Sequence, residues 1–213
     1  MATRSRQIGM QKFAHKEVHE FFCMPVYPNL VSSVTYALCQ LFIKFEDIFD
    51  LLLPIPRRED SNGYCRSIRN HSNYKHLSNR EIHNIVNSSK YLHHLMTIVN
   101  PGTPEIESLL KSQPPSPARS YKLNLQNVFT LGTVEFRQHH ASFDSEEVAC
   151  WVSLLVILVD KSISSDEVKV FKDDRKPNFK FEKFFQHVVT DDKIVNFYKK
   201  MREKYGTEWI DEL

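Results

Sequence analysis

The stretch Gly132-Thr133-Val134-Glu135-Phe136-Arg137-Gln138-His139 decides the fold, because apolar and polar side chains alternate along it. Successive side chains of a β-strand point to opposite faces, so we expect one face to carry Val134 and Phe136. The opposite face then carries only polar side chains, namely Thr133, Glu135, Arg137 and His139. This alternation predicts a β-strand with one apolar and one polar face.

A second stretch, Tyr121-Lys122-Leu123-Asn124-Leu125-Gln126, alternates in the same way. If the two strands pair, Lys122, Asn124 and Gln126 share the polar face with Glu135. The apolar face then needs a cover. Residues 148–159 form the best candidate, because this predicted helix is apolar nearly all round.

Helical patterns dominate the rest of the chain. From Asn29 to Leu52 apolar residues recur at spacings of three and four, and Pro54 ends the pattern. Ser78-x-x-Glu81 is a capping-box spacing that predicts a second helix, running to about Val99. Asp144-x-x-Glu147 marks the start of the apolar helix. The sequence therefore predicts a helix-rich α+β fold with a small antiparallel sheet.

Composition changes along the chain suggest three parts. We expect residues 1–28 to form a loose N-terminal tail and residues 29–165 to form one domain. Residues 101–120 hold five of the ten prolines and predict an exposed connector within that domain. Residues 166–213 predict a C-terminal extension of two or three amphipathic helices.

The overall composition excludes several classes of partner. The 213 residues carry 28 Lys and Arg against 26 Asp and Glu, a net charge of +2 that favours neither nucleic acid nor an anionic membrane. The longest purely apolar run, 154–159, is far shorter than the roughly 20 residues of a membrane span. We also expect no secretory signal. The cysteines lie far apart, which favours reduced thiols and a cytoplasmic location.

The polar strand face allows two interpretations. Glu135 offers the oxygen ligands that Mg²⁺ prefers, Arg137 can bind a phosphate or carboxylate, and His139 can transfer a proton. The alternative is a solvated sheet face held by cross-strand ion pairs, which the pattern alone favours. A basic loop with Arg57, Arg58, Asn62 and Tyr64 allows a similar choice between an anion-binding site and a solvated turn.

The histidines raise a further possibility, a zinc site. His15 and His19 are four residues apart, but the motif between them does not match the helical zinc proteases. The adjacent pairs His93-His94 and His139-His140 are expected to diverge on a helix or strand. Surface histidines therefore remain the favoured interpretation, and stoichiometric zinc in the purified protein would contradict it.

The stretch 132–139, with 121–126 before it and Asp144 and Trp151 after it, resembles the amidoligase family, the carboxylate–amine ligase relatives of glutamine synthetase that are abundant in fungi. The resemblance covers about residues 29–162. Further upstream, four segments are similar to the family's helix and Arg-containing loop: Phe45-Glu46, Leu51 to Pro54, Arg57-Arg58 and Asn62-Gly63-Tyr64-Cys65.

The resemblance implies an α+β fold built on an antiparallel sheet and an ATP-dependent joining of a carboxylate to an amine through an acyl phosphate. ATP and Mg²⁺ would be required, and the substrates would be small-molecule or peptide carboxylates and amines. Glu135 would serve as a metal or nucleotide-site carboxylate, Arg137 would stabilise phosphate charge, and His139 would support the site. Substrate would be bound by Arg57, Arg58, Asn62, Tyr64 and Asn124.

The chain also departs from the family pattern. A first strand with Glu-x-Glu carboxylates and a His-x-His strand are not found before residue 29, and His140-Ala141-Ser142 stand where an acidic residue and Gly-Thr are usual. We therefore expect the C-terminal portion of an amidoligase, truncated or degenerate, with an exposed sheet edge that favours self-association. The alternative function is a non-catalytic remnant, a pseudoenzyme that acts as an interaction module.

Overall fold

The computed structural model of the chain describes residues 22–25, 31–58, 63–102, 118–164 and 181–205, with side chains described from Ser33 onward. Within these ranges helices predominate and one small antiparallel sheet is present, which confirms the predicted α+β class. No helix in the described ranges is both long and apolar enough to cross a membrane. The predicted N-cap Asn29 and most of the proline-rich connector, residues 103–117, lie outside them.

The sheet has three strands in the order β1-β3-β2, with β3 in the centre. They are β1 (Phe22–Pro25), β2 (Leu123–Asn124) and β3 (Thr133–Phe136). Both pairings are antiparallel. Four residues of the predicted N-terminal tail therefore belong to the sheet, which corrects that prediction for β1. The rest of 1–28 lies outside the described residues.

The register of β2 and β3 confirms the predicted faces. Leu123 lies opposite Phe136, and Asn124 lies opposite Glu135. Apolar side chains are therefore paired with apolar ones across the two strands, and polar side chains with polar ones. Both strands are shorter than the alternating stretches. They are joined through a short helix, α4 (Val128–Leu131), which ends at Gly132 with a φ of 63°. Glycine suits this left-handed position because it has no Cβ to clash.

Helix α1 (Val31–Leu51) packs against the apolar face of the sheet. The Phe42 ring lies 5.9 Å from that of Phe136, and Phe49 meets Trp151 edge-on at 6.2 Å. Trp151 belongs to α5 (Ser145–Ser164), which packs on α1. We expected residues 148–159 to cover the apolar face of the sheet. At Phe136, this face is covered by α1.

The sequence predicted one continuous helix from Ser78 to about Val99. This prediction is wrong, because the structure has two shorter helices there. Its capping box is confirmed: the Glu81 amide donates to Ser78 Oγ, and the Ser78 amide donates to Glu81 Oε2. The two parts are α2 (Asn79–Ser88) and α3 (Leu92–Val99). Ser89 between them is extended, and its hydroxyl donates to the carbonyl of Val86. Serine hydroxyls compete in this way with the helical backbone, which explains the break.

Two further elements complete the described chain. Asp144 Oδ1 accepts the amides of Glu146 and Glu147, which confirms the predicted start of α5. Residues Phe184–Val188 form a π-helical segment, and Asp192–Lys204 form α6. Both elements lie within the residues predicted as a C-terminal extension, and the Phe184 ring packs 5.5 Å from Phe49.

Candidate functional site

The polar face of the sheet is buried. Glu135 is 3% exposed, Arg137 7% and His139 2%, and Asn124 is fully buried. The solvated sheet face, which the pattern alone favoured, is therefore wrong. Burying charged groups is costly unless they are paired, so the contacts of these side chains define the site.

Glu135 is held between an amide and a guanidinium. Asn124 Nδ2 donates to Glu135 Oε2 at 2.6 Å, and Arg137 Nη1 donates to Oε1 at 2.9 Å. Arg137 Nε also donates to the carbonyl oxygen of Tyr64 at 3.0 Å. Burial lowers the pKa of Arg137, while the Glu135 charge opposes this shift. Tyr64 thus contributes its backbone here, and its side chain is exposed.

The surroundings of Glu135 do not fit a resident Mg²⁺ ion. Mg²⁺ requires near-octahedral coordination by oxygen atoms. The described partners of Glu135 are the Asn124 amide and the Arg137 guanidinium, which donate hydrogen bonds to both of its carboxylate oxygens. These contacts do not support the metal role predicted for Glu135, and no chemical step below depends on a metal held there.

Arg57 binds the backbone that follows β3. Its Nε donates to the carbonyl oxygen of Gln138 at 3.0 Å, and its Nη2 donates to those of His139, at 2.8 Å, and Arg137. This buried guanidinium therefore fixes the segment that carries Arg137 and His139. Such contacts point to a positioning role for Arg57 rather than to contact with substrate.

Arg58 makes fewer hydrogen bonds within the described chain than Arg57 does. Its Nε donates to the carbonyl oxygen of Leu53, whereas Nη2 is buried and has no hydrogen-bond partner among the described residues. Burial lowers the pKa of Arg58, and the Asp50 charge opposes this. Asn62, the remaining residue predicted for substrate binding, lies outside the described residues.

A buried lysine joins the sheet to α1, and the sequence analysis did not identify it as a site residue. Lys122 Nζ lies 2.6 and 2.8 Å from the two carboxylate oxygens of Asp50 and 3.3 Å from Glu46 Oε1. Gln138 Nε2 also donates to Asp50, at 3.0 Å. Strand alternation predicted that Lys122 shares the polar face with Asn124 and Gln126. Lys122 and Gln138 both lie just outside β2 and β3, where strict alternation no longer determines the direction of a side chain, and they meet at Asp50.

The charged groups of this cluster shift one another's pKa values. Burial raises the pKa of Asp50 to about 7, although Lys122 opposes the shift. Burial alone would lower the pKa of Lys122, but Glu46 and Asp50 together raise it. The signal in the sequence was the pair of acids four residues apart within the apolar pattern of α1, a spacing that places both on one helical face.

The two adjacent histidines come together instead of diverging. The rings of His139 and His140 stack at 4.9 Å with an interplanar angle of 14°, because residues 137–140 are not part of a strand. The predicted divergence is therefore wrong for this pair. Burial lowers the pKa of His139 to about 4, with His140 as the next contribution, so His139 is neutral at pH 7.

Glu147 lies beside this pair. His140 Nε2 is 3.3 Å from Glu147 Oε1, and Ser142 Oγ donates to Oε2 at 2.5 Å. Tyr205, directly after α6, donates its hydroxyl to Oε1 at 3.2 Å. The described part of the C-terminal extension therefore packs against the site.

Comparison with known proteins identifies the family. The family model described as "putative amidoligase enzyme" matches residues 26–159, which include β3, the arginine loop and the buried lysine. No curated protein and no solved structure matches the chain. Because the family match covers more than half of the 213 residues, the chain belongs to the amidoligase family.

Proposed function

We propose that the chain is an ATP-dependent amidoligase that joins a carboxylate to an amine through an acyl phosphate. The observation that carries this proposal is the buried network that Asn124 of β2 and Arg137, just after β3, form around Glu135 of the central strand. Apolar side chains would fill such a position at lower cost, so a buried ion pair at the end of a sheet favours chemistry there. The network lies within the segment matched to the amidoligase family.

In the first step, an oxygen of the substrate carboxylate attacks the γ-phosphorus of ATP. A phosphorus–oxygen bond to the substrate forms, and the bond to ADP breaks. Negative charge on the transferring phosphoryl group must be neutralised, which is the role we assign to Arg137. Glu135 and the carbonyl of Tyr64 orient its guanidinium. Mg²⁺ is expected as the counter-ion of ATP, as part of the nucleotide substrate.

In the second step, the amine nitrogen attacks the acyl carbon, and phosphate leaves with its bonding electron pair. The amine also loses a proton. Asp50 is the best-suited acceptor, because its pKa of about 7 matches the working pH of a general base. Its side chain is 22% exposed, so it is accessible from the solvent side. Arg58 Nη2 supplies a donor for an anionic group of the substrate.

Unfolding with and without Mg-ATP tests this proposal. A ligand present at about 100 times its dissociation constant stabilises the native state by roughly 2.7 kcal/mol. We expect this increase for the native chain and its loss for Glu135→Gln and Arg137→Ala. Arg80→Ala is the control, because Arg80 is exposed on α2. Equal stabilisation of Arg137→Ala and the native chain would remove Arg137 from the nucleotide site.

A second candidate function is a non-catalytic interaction module. Arg57 binds three carbonyl oxygens of the chain, and Lys122 binds two of its carboxylates. These two cations therefore bind groups of the protein itself, which favours a structural role for them over substrate binding. The same unfolding experiment separates the two functions. An interaction module melts cooperatively and gains no stability from Mg-ATP, whereas a ligase is stabilised.

A further inference from the structure

A group of three potential metal ligands lies between the end of β3 and the start of α5. Among the described residues, one potential ligand atom each from His139, His140 and Glu147 lies within 4.8 Å of the other two. His140 Nε2 and Glu147 Oε1 are 3.3 Å apart. Ligands about 2.0–2.2 Å from a tetrahedral Zn²⁺ ion are separated from one another by roughly 3.3–3.6 Å, so this pair already has a suitable spacing.

The hydrogen bonds around the group prepare it for a metal. His139 Nδ1 lies 2.6 Å from the carbonyl oxygen of His140, a contact that requires Nδ1 to carry the proton. In the neutral ring, Nε2 of His139 then holds the lone pair that a metal needs. His140 presents its other ring nitrogen, Nε2, to Glu147 Oε1, so Nε2 is the atom of His140 that would coordinate the metal.

Glu147 has the outer contacts that are typical of a ligating carboxylate. Ser142 Oγ donates to Oε2, and the Tyr205 hydroxyl donates to Oε1. Such outer contacts orient a ligand, and their loss typically weakens metal binding 10- to 100-fold. They also connect the group to α6, so a bound ion would hold the C-terminal helix against the segment that Arg57 fixes.

We propose that His139, His140 and Glu147 bind one Zn²⁺ ion. Two imidazoles and a carboxylate form a donor set that suits zinc, whereas Mg²⁺ prefers oxygen ligands. Three protein ligands leave the fourth tetrahedral position for water or a substrate group. The site is independent of any Mg²⁺ that accompanies ATP, because it contains neither Glu135 nor Arg137.

Metal titration of the full chain tests the site without any nucleotide. The chain is stripped with a chelator, and Zn²⁺ and then Co²⁺ are added while bound metal and the visible Co²⁺ spectrum are measured. We expect one equivalent of Zn²⁺, a higher melting temperature and a tetrahedral Co²⁺ spectrum. His140→Gln should weaken binding at least 100-fold. His94→Gln is the control, because His94 is exposed on α3.

Ser142→Ala provides a second variant in case His140→Gln does not fold. It removes an outer contact and keeps all three ligands, so we expect binding about 10-fold weaker with the Co²⁺ spectrum retained.

Two results would overturn the proposal: a cooperatively melting native chain that takes up no Zn²⁺ at micromolar concentration, or equal Zn²⁺ affinity in the native chain and the folded His140→Gln variant. Either result leaves the response to Mg-ATP unaffected, so failure of the zinc site is distinguishable from failure of the proposed ligase function.

Discussion

Replacing Lys122 with methionine should destabilise the chain strongly. The Lys122 side chain is 1% exposed and holds two carboxylates, with its Nζ 2.6 Å from Asp50 and 3.3 Å from Glu46. Methionine fills similar volume but removes the ammonium that pairs with both acids. Removing one partner of a buried ion pair costs about 3–5 kcal/mol. The same change at exposed Lys199 should cost at most about 1 kcal/mol.

The stability lost in Lys122→Met should also depend on pH, and it should be smaller at low pH. The folded-state pKa of Asp50 is already about 7, above its ordinary value, and it rises further once the ammonium is gone. A group whose pKa is raised by folding favours the folded state at low pH, so protonation of Asp50 relieves the variant as pH falls. The stability lost in Lys122→Met is therefore expected to be smaller at pH 6 than at pH 8.

Urea unfolding followed by circular dichroism at pH 6 and pH 8 measures both effects. The triple variant Glu46→Gln, Asp50→Asn, Lys122→Met serves as a rescue, because it removes the stranded charges, and we expect it to recover most of the loss. A loss for Lys122→Met below about 1 kcal/mol at both pH values, equal to that of Lys199→Met, would refute the buried ion cluster.

Three further predictions follow from the site. Arg57→Ala should lose about 3 kcal/mol of stability in urea unfolding, since three hydrogen bonds to carbonyl oxygens disappear; a loss within 0.5 kcal/mol, which is typical of a surface change, would show that Arg57 does not fix this segment. Asp50→Asn should lower kcat at least 100-fold and abolish a pH dependence near 7, and an unchanged pH profile would exclude Asp50 as the base. The pKa of His139 is lowered on folding, so its contribution to stability is complete above about pH 6.5 and is lost as pH falls toward 4; an NMR titration in which His139 protonates near pH 6.5 would contradict this.

Much of the local structure was predictable from neighbouring residues. The starts of α2 and α5 depend on Ser78 with Glu81 and on Asp144, whose side chains bond to amides two or three residues away. The facing of Asn124 and Glu135 follows from the period of two within a strand. Such features depend on short-range geometry, so sequence patterns predict them well.

Long-range contacts were not predictable in the same way. The burial of Glu135 and Arg137 depends on the packing of other segments around the polar face, including the Tyr64 carbonyl, which lies 73 residues away from Arg137. The contact of Lys122 with Asp50 depends on where β2 begins rather than on alternation. His139 and His140 stack for a related reason, because the strand stops at Phe136.

The central claim, amide formation through an acyl phosphate, is tested most directly by trapping that intermediate. The native chain is incubated with Mg-ATP, a pool of amino acids and small dicarboxylates, and hydroxylamine, which converts an acyl phosphate to a hydroxamate. We predict hydroxamate and ADP in equal amounts, and at least 100-fold less of both with Arg137→Ala, with Arg80→Ala unchanged. A natively folded chain that neither gains stability from Mg-ATP nor forms hydroxamate above the Arg137→Ala level would contradict the account and favour the interaction module.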